Sequence, residues 1–275
     1  MLSVDKFWFR ENSVALVPRL QFPLQESLHG LNEWLPQSLS KLSDWSEPSW
    51  LHEEIAKLLV LGSQRPSTAD SAPVREVAEA TQHRSRGMLR LVRAFATSPL
   101  PPFRVILASF QRAYPDCERR NSLAWAGGPS PVDANAVIFC PEEFLASQHE
   151  SFASYWEQEK ARPTAEGAVA AYCWAIVCHP LVDGNGRLAR FLMYLLCLGA
   201  GMSRLAALLC VAAFCRRIGG RPAQLLLDRN FEHLTLEFVA CRELVLAAGE
   251  LICGRSGEHV CVSDILDELE YKKEK

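Results

Sequence analysis

The sequence predicts an all-α, mainly helical fold with one small β-hairpin. Three observations carry this reading. Apolar residues recur at helical spacing through long segments of the chain. Proline and glycine clusters fall between those segments rather than inside them. Only one stretch, Trp125 to Pro141, combines a Gly/Pro/Asp turn cluster with a short β-prone run, Ala136 to Phe139.

Taken in order, residues 1–60 carry helical patterns punctuated by Pro23, Pro36 and Pro48. The segment from Gly62 to Pro73 reads as a loop. Val74 to Ala94 reads as a helix whose arginines (Arg84, Arg86, Arg90, Arg93) are taken as solvated surface. A stiff break at Pro99–Pro102 precedes a helix over about Arg104–Tyr114. After the hairpin, helices are expected at Glu142–Glu159, Thr164–Cys178, Gly186–Leu198, Ser203–Ile218 and Phe231–Ile252. Pro163-Thr164 is a start signal for the second of these. The tail from Asp264 reads as a short charged helix or a frayed end. The apolar run from Leu188 to Cys215 resembles a membrane span. Arg190, Arg204 and the break at Gly199–Gly201 divide it into two buried helices instead.

Composition narrows the function classes. The chain has 275 residues, 49% hydrophobic and 22% charged, with a formal net charge of -3. That balance gives no global attraction to nucleic acid or to an anionic membrane. The 10 cysteines form no C-x-x-C pair, and several sit in apolar helical runs, where a thiol behaves as a small hydrophobe. With charges at Asp5, Lys6 and Arg10, the start lacks a signal-peptide core. Both facts lead to the expectation of a cytoplasmic protein with reduced thiols. Delivery into another cell by a route needing no such signal stays compatible with them.

One loop concentrates the chemistry: His179-Pro-Leu-Val-Asp-Gly-Asn-Gly-Arg-Leu-Ala-Arg190. Apolar helices flank it. The second begins inside the loop, so its unpaired N–H groups and positive dipole end face whatever occupies it. Gly184 and Gly186 allow successive N–H groups to turn to one side and form an anion nest, for which phosphate is the natural guest. Arg187 and Arg190 lie three residues apart on one face and can fork onto phosphate oxygens. Asp183 suits Mg2+, which needs only one or two carboxylates when phosphates and water complete its shell. His179 stands at the mouth of the loop with a side chain suited to accept a proton from a hydroxyl. Alone, each element has an ordinary explanation: a cap, a turn, surface charge. Their combination within one short loop is the parts list for transfer at phosphorus.

The loop resembles the Fic family, whose pattern H-P-F-x-[D/E]-G-N-G-R-x-x-R it matches at every defined position but one; Leu181 stands in place of the usual Phe. The stretch from Trp125 to Gly128 followed by Ala136–Pro141 looks like the family's flap, and Thr235–Val239 resembles part of a late helix. The first hundred residues look like an N-terminal helical extension. The resemblance implies a Fic fold with a hairpin flap beside the active-site loop. It divides the chain into an N-terminal helical region (1–98), a catalytic core (99–262) and a charged tail (263–275).

It also implies a protein adenylyltransferase that moves AMP from ATP to a Ser, Thr or Tyr hydroxyl and releases pyrophosphate. In that reading His179 is the general base and Asp183 holds Mg2+. Gly184, Asn185 and Gly186 form the anion hole, and Arg187 and Arg190 bind the phosphates beyond the transferred one. A target protein would dock along the flap near Ala136–Phe139. Relatives that move UMP, phosphocholine or phosphate are the enzymatic alternative, and a non-enzymatic interaction module is the other. Many family members carry an inhibitory pattern [S/T]-x-x-x-E-[G/N]. Ser49 to Glu54 fits its spacing, with Glu53 at the acidic position, but also reads as an ordinary helix start.

Overall fold

The computed structural model describes residues 47–62, 74–95, 99–126, 130, 137–218, 231–255 and 259–273. The patterns read in residues 1–46 and the loop expected after Gly62 lie outside them. Ten helices are described: α1 (Leu51–Leu61), α2 (Val74–Ala94), α3 (Phe103–Ala113), α4 (Glu142–Ala161), α5 (Ala165–Cys178), α6 (Asn185–Gly199), α7 (Arg204–Ile218), α8 (Phe231–Ala240), α9 (Arg242–Gly254) and α10 (Val262–Lys273). The chain is mainly helical, as expected. Two short strands, β1 (Trp125–Ala126) and β2 (Val137–Ile138), pair antiparallel, Trp125 opposite Ile138. Residues 127–129 and 131–136, which would turn them into a flap, lie outside the described residues. The flap therefore stays an expectation.

Helix α5 is the centre of the molecule: every residue but Ile176 is buried. A helix apolar on nearly all sides belongs inside other helices, and α6, α8 and α4 pack beside it. Its start is set by Thr164, whose hydroxyl accepts from the Gly167 N–H at 2.8 Å. Glu159 at the end of α4 accepts in turn from the Thr164 backbone and hydroxyl at 3.2 and 2.9 Å. A Cβ at Gly167 would stand 2.0 Å from the Glu159 carboxylate and would push it off Thr164. Between α6 and α7 the chain reverses at Gly201, whose φ of 88° is easy for glycine alone. The Gly201 and Met202 N–H groups take up the last α6 carbonyls, Leu198 and Cys197.

One expectation is corrected, and one open alternative is resolved. Phe231–Ile252 is not one helix. It breaks at Cys241, whose N–H bonds Phe238 three residues back and whose thiol takes the Glu237 carbonyl at 3.2 Å. A side chain competing for the backbone ladder bends a helix in this way. The tail takes the helical one of its two readings. Ile265 and Leu266 of α10 are buried, the Val262 N–H donates to Glu54 of α1 at 3.0 Å, and Arg216 of α7 bonds Asp267 and Glu270 at 2.7 and 3.1 Å.

One apolar cluster runs from Leu51 to Leu266, across both expected domain boundaries. All ten cysteines are free, and eight are buried. Among the described residues no helix is long and apolar enough to cross a membrane.

Candidate functional site

The site is the turn between α5 and α6, and its geometry starts from His179. This residue ends α5 in the left-handed conformation, φ 48° and ψ 55°. Glycine usually fills that position. A side chain there costs on the order of 1–2 kcal/mol, and the following Pro180 disfavours helical dihedrals further. The strain persists because the surroundings hold every part of the residue. The imidazole Nδ1 lies 3.3 Å from the Ile176 carbonyl. A carbonyl only accepts, so Nδ1 carries the proton and Nε2 keeps its lone pair. The ring stacks on Phe139, 3.9 Å between centroids and 11° from parallel. Burial pushes its pKa down to about 4, helped by the Arg120 charge and opposed by the bond to Ile176 and by Asp183. The imidazole is thus neutral near pH 7 and able to take a proton.

The rest of the turn is closed by Asn185. Its carboxamide accepts from the Leu181 N–H at 3.0 Å and donates to the Leu181 carbonyl at 2.8 Å. The side chain is spent on the loop, so what Asn185 can offer a ligand is its backbone. Leu181 itself is fully buried, which explains why an apolar residue of either shape serves there. Gly184 precedes α6 with φ 84° and offers no capping side chain. The first N–H groups of α6 therefore have no carbonyl behind them and face the turn, with the positive end of the helix dipole. Gly184 is also sterically required: a Cβ would meet the Cys117 sulfur at 2.6 Å.

The two arginines are placed differently. Arg187 is buried, donates to Asp183 Oδ2 at 2.8 Å and lies 4.6 Å above the Tyr114 ring. Tyr114, held through its hydroxyl to the Arg84 carbonyl at 2.7 Å, has its pKa pushed up to about 12 by burial. Arg190 donates from Nε to the Leu59 carbonyl and from Nη2 to the Val60 carbonyl, both at 2.8 Å. A Cβ at either Gly62 or Gly186 would stand 3.3 Å from its Nη1, so the end of α1 comes close to the start of α6. Among the described residues no carboxylate pairs with Arg190. Glu53 is exposed near the other end of α1, roughly 9 Å along the helix from Leu59. Its neighbour Glu54 is the buried one, engaged with α10. Glu53 is therefore an ordinary first-turn residue.

A cavity of about 180 Å3 opens beside Asp183 and Arg187, lined also by His83, Arg84, Tyr114 and Cys117. Arg84 on α2 reaches 4.0 Å from Asp183, so one of the arginines read as plain surface charge faces the site. Asp183 is well exposed, and no group of three metal-binding side chains exists among the described residues. That donor set fits Mg2+ only as an ion that arrives with phosphates, which would supply the other ligands.

Sequence reading missed Arg120, Phe139 in its stacking role, and Tyr114. Nothing in their local spacing marks them, since each meets the turn from a distant segment. Residues 108–197 match the model of the Fic/DOC family. A Fic domain-containing signaling protein from Bacteroides thetaiotaomicron is similar in structure at 15% identity, over 83% of this chain and 99% of that one, with a TM-score of 0.48. No curated protein matches the chain.

Proposed function

From the match of residues 108–197 to the model of the Fic/DOC family, we propose a protein adenylyltransferase that moves AMP from ATP to a Ser, Thr or Tyr hydroxyl of a target protein. The observation that carries this reading is a neutral imidazole at the mouth of an uncapped helix N-terminus. His179 has its Nδ1 proton committed to Ile176 and its Nε2 lone pair free. Across the same short turn, Gly184 opens α6 without a side-chain cap.

In the proposed reaction Nε2 of His179 removes the target hydroxyl proton as that oxygen attacks the α-phosphorus of ATP. A new O–P bond forms, the bond to the β-phosphate oxygen breaks, and pyrophosphate leaves with the electron pair. The proton on Nε2 passes to solvent or to the leaving group. The N–H groups at the start of α6 stabilise the charge on the transferred phosphate. Arg187 and Arg190 would meet the phosphates beyond it, Arg187 by turning from Asp183 and Arg190 through Nη1. Mg2+, when bound with the nucleotide, would neutralise phosphate charge, and Asp183 is the residue that would hold it. The acceptor hydroxyl would enter along β2, which ends beside Phe139.

Intact-mass analysis after incubation with ATP and Mg2+, on the chain alone and with a cell lysate, tests the reading. An added AMP that disappears in His179→Ala is the expected result. UTP and CDP-choline run in parallel, and a mass added from one of those donors instead would replace AMP as the transferred group.

A further inference from the structure

We infer that Arg120 is a positioning residue for the base, acting through the backbone that carries His179; the inference rests on reading His179 as that base. Arg120 is buried at 6% exposure, and its hydrogen bonds go to four backbone carbonyls. Nε donates to His179 at 2.8 Å, Nη2 to Cys178 at 3.1 Å and to Cys140, and Nη1 to Ser122. The Cys178 and His179 carbonyls lie at the C-terminal end of α5, where the helix has no N–H to offer them. A cation there also complements the helix dipole.

A simple cap would stop at those two. Here the same guanidinium also holds Cys140, the residue after Phe139, whose ring stacks on His179. One side chain thus ties together the strained base and the strand that carries its stacking partner. The backbone around Arg120 adds to the grip. Its N–H donates to Pro180 at 3.0 Å, Val182 donates to Glu118 at 2.9 Å, and Arg119 forms an antiparallel bridge with Leu181. Segment 118–120 is in effect a strand laid along the catalytic turn. With the carbonyl of His179 fixed at φ 48°, the imidazole can reach both Ile176 and Phe139.

The charged and titratable groups around the imidazole are few. Arg120 approaches from this segment and Asp183 from the turn itself, and the Cys140 and Cys178 thiols are buried beside Arg120. The positive charge of Arg120 opposes a second proton on His179 and keeps the base available.

Two full-length variants separate these effects. Arg120→Lys keeps the charge and loses the fork; Arg120→Met loses both. Two measurements are made on each: the transfer rate with ATP and Mg2+, and the His179 ring signals by NMR between about pH 4 and pH 7. In the wild type the ring signals are expected to carry an upfield shift from the Phe139 stack. The expected result is a folded Arg120→Lys slowed by about 10- to 100-fold, with that upfield shift reduced. In Arg120→Met the His179 midpoint rises. Should Arg120→Met fail to fold, the ring shift and rate of Arg120→Lys decide. Ring signals, midpoint and rate within about twofold of wild type would overturn the inference. So would a slower rate with an unchanged ring shift, which marks a merely architectural arginine. If the wild type transfers no nucleotide, the proposed function fails, and the NMR readout still judges Arg120.

Discussion

The imidazole of His179 lies face to face with the Phe139 ring, 3.9 Å away, although the two residues belong to different segments of the chain. The stack covers one face of the imidazole, the proposed base, and leaves the ring edge bearing Nε2 uncovered by it. Phe139→Ala should keep the fold, because β2 and α5 remain joined through Arg120. It should let water reach the imidazole and raise its pKa from about 4 toward the ordinary histidine value. A rate–pH profile checks this: the acidic limb is expected to move to higher pH, with a rate loss of about tenfold or more at pH 7.

Acid should destabilise the protein through two histidines. Burial pushes both His149 and His179 down to about 4. The unfolded chain binds protons at these sites from about pH 6.5 downward, and the folded chain does not until about pH 4. Unfolded chains therefore hold more protons across that window, and stability falls as pH drops through it. The loss is of order 3 kcal/mol per histidine, read as a falling midpoint in urea titrations from pH 7 to pH 4. His149→Phe should flatten part of that slope.

Asn185→Ala should cost more than an ordinary surface change. It removes both bonds to the Leu181 backbone and leaves a buried N–H and carbonyl without partners. A loss of roughly 2–4 kcal/mol is expected, measured by chemical denaturation, with transfer activity lost as the turn opens.

Arg190 serves two ends of the structure. Arg190→Ala should lower stability by about 1–3 kcal/mol, because the Leu59 and Val60 carbonyls lose their donor. It should also raise the KM for the nucleotide if Nη1 meets phosphate. Arg190→Lys should recover part of the stability and little of the KM.

Mg2+ alone should bind weakly, since Asp183 brings no second or third protein ligand. Calorimetry is expected to give no measurable heat with Mg2+ at micromolar protein and clear binding with Mg2+ and ATP together. Asp183→Asn should weaken the second without unfolding the chain.

Much of this site is written locally. The helix before the turn, the glycines inside it and the start of the next helix follow from apolar periodicity and from residues a few positions apart. His179, Asp183 and Arg187 were visible for the same reason: one turn brings neighbours in sequence into one place. Even Leu181, the irregular letter, makes sense locally as an apolar residue that fills a buried position.

What only the tertiary structure decided depends on contacts between distant segments. Arg120 reaches His179 across 59 positions, Cys117 meets Arg187 across 70, and the end of α1 meets Arg190 across 131. Spacing carries no trace of such meetings, because they arise from how whole helices pack around α5. The burial of Glu54 and not Glu53 is of this kind: adjacent glutamates point to different sides of a helix, and the packing of α10 covers Glu54. The sequence by itself determined a helical chain with a phosphate-suited turn. Packing determined which side chains hold that turn in its strained, working shape.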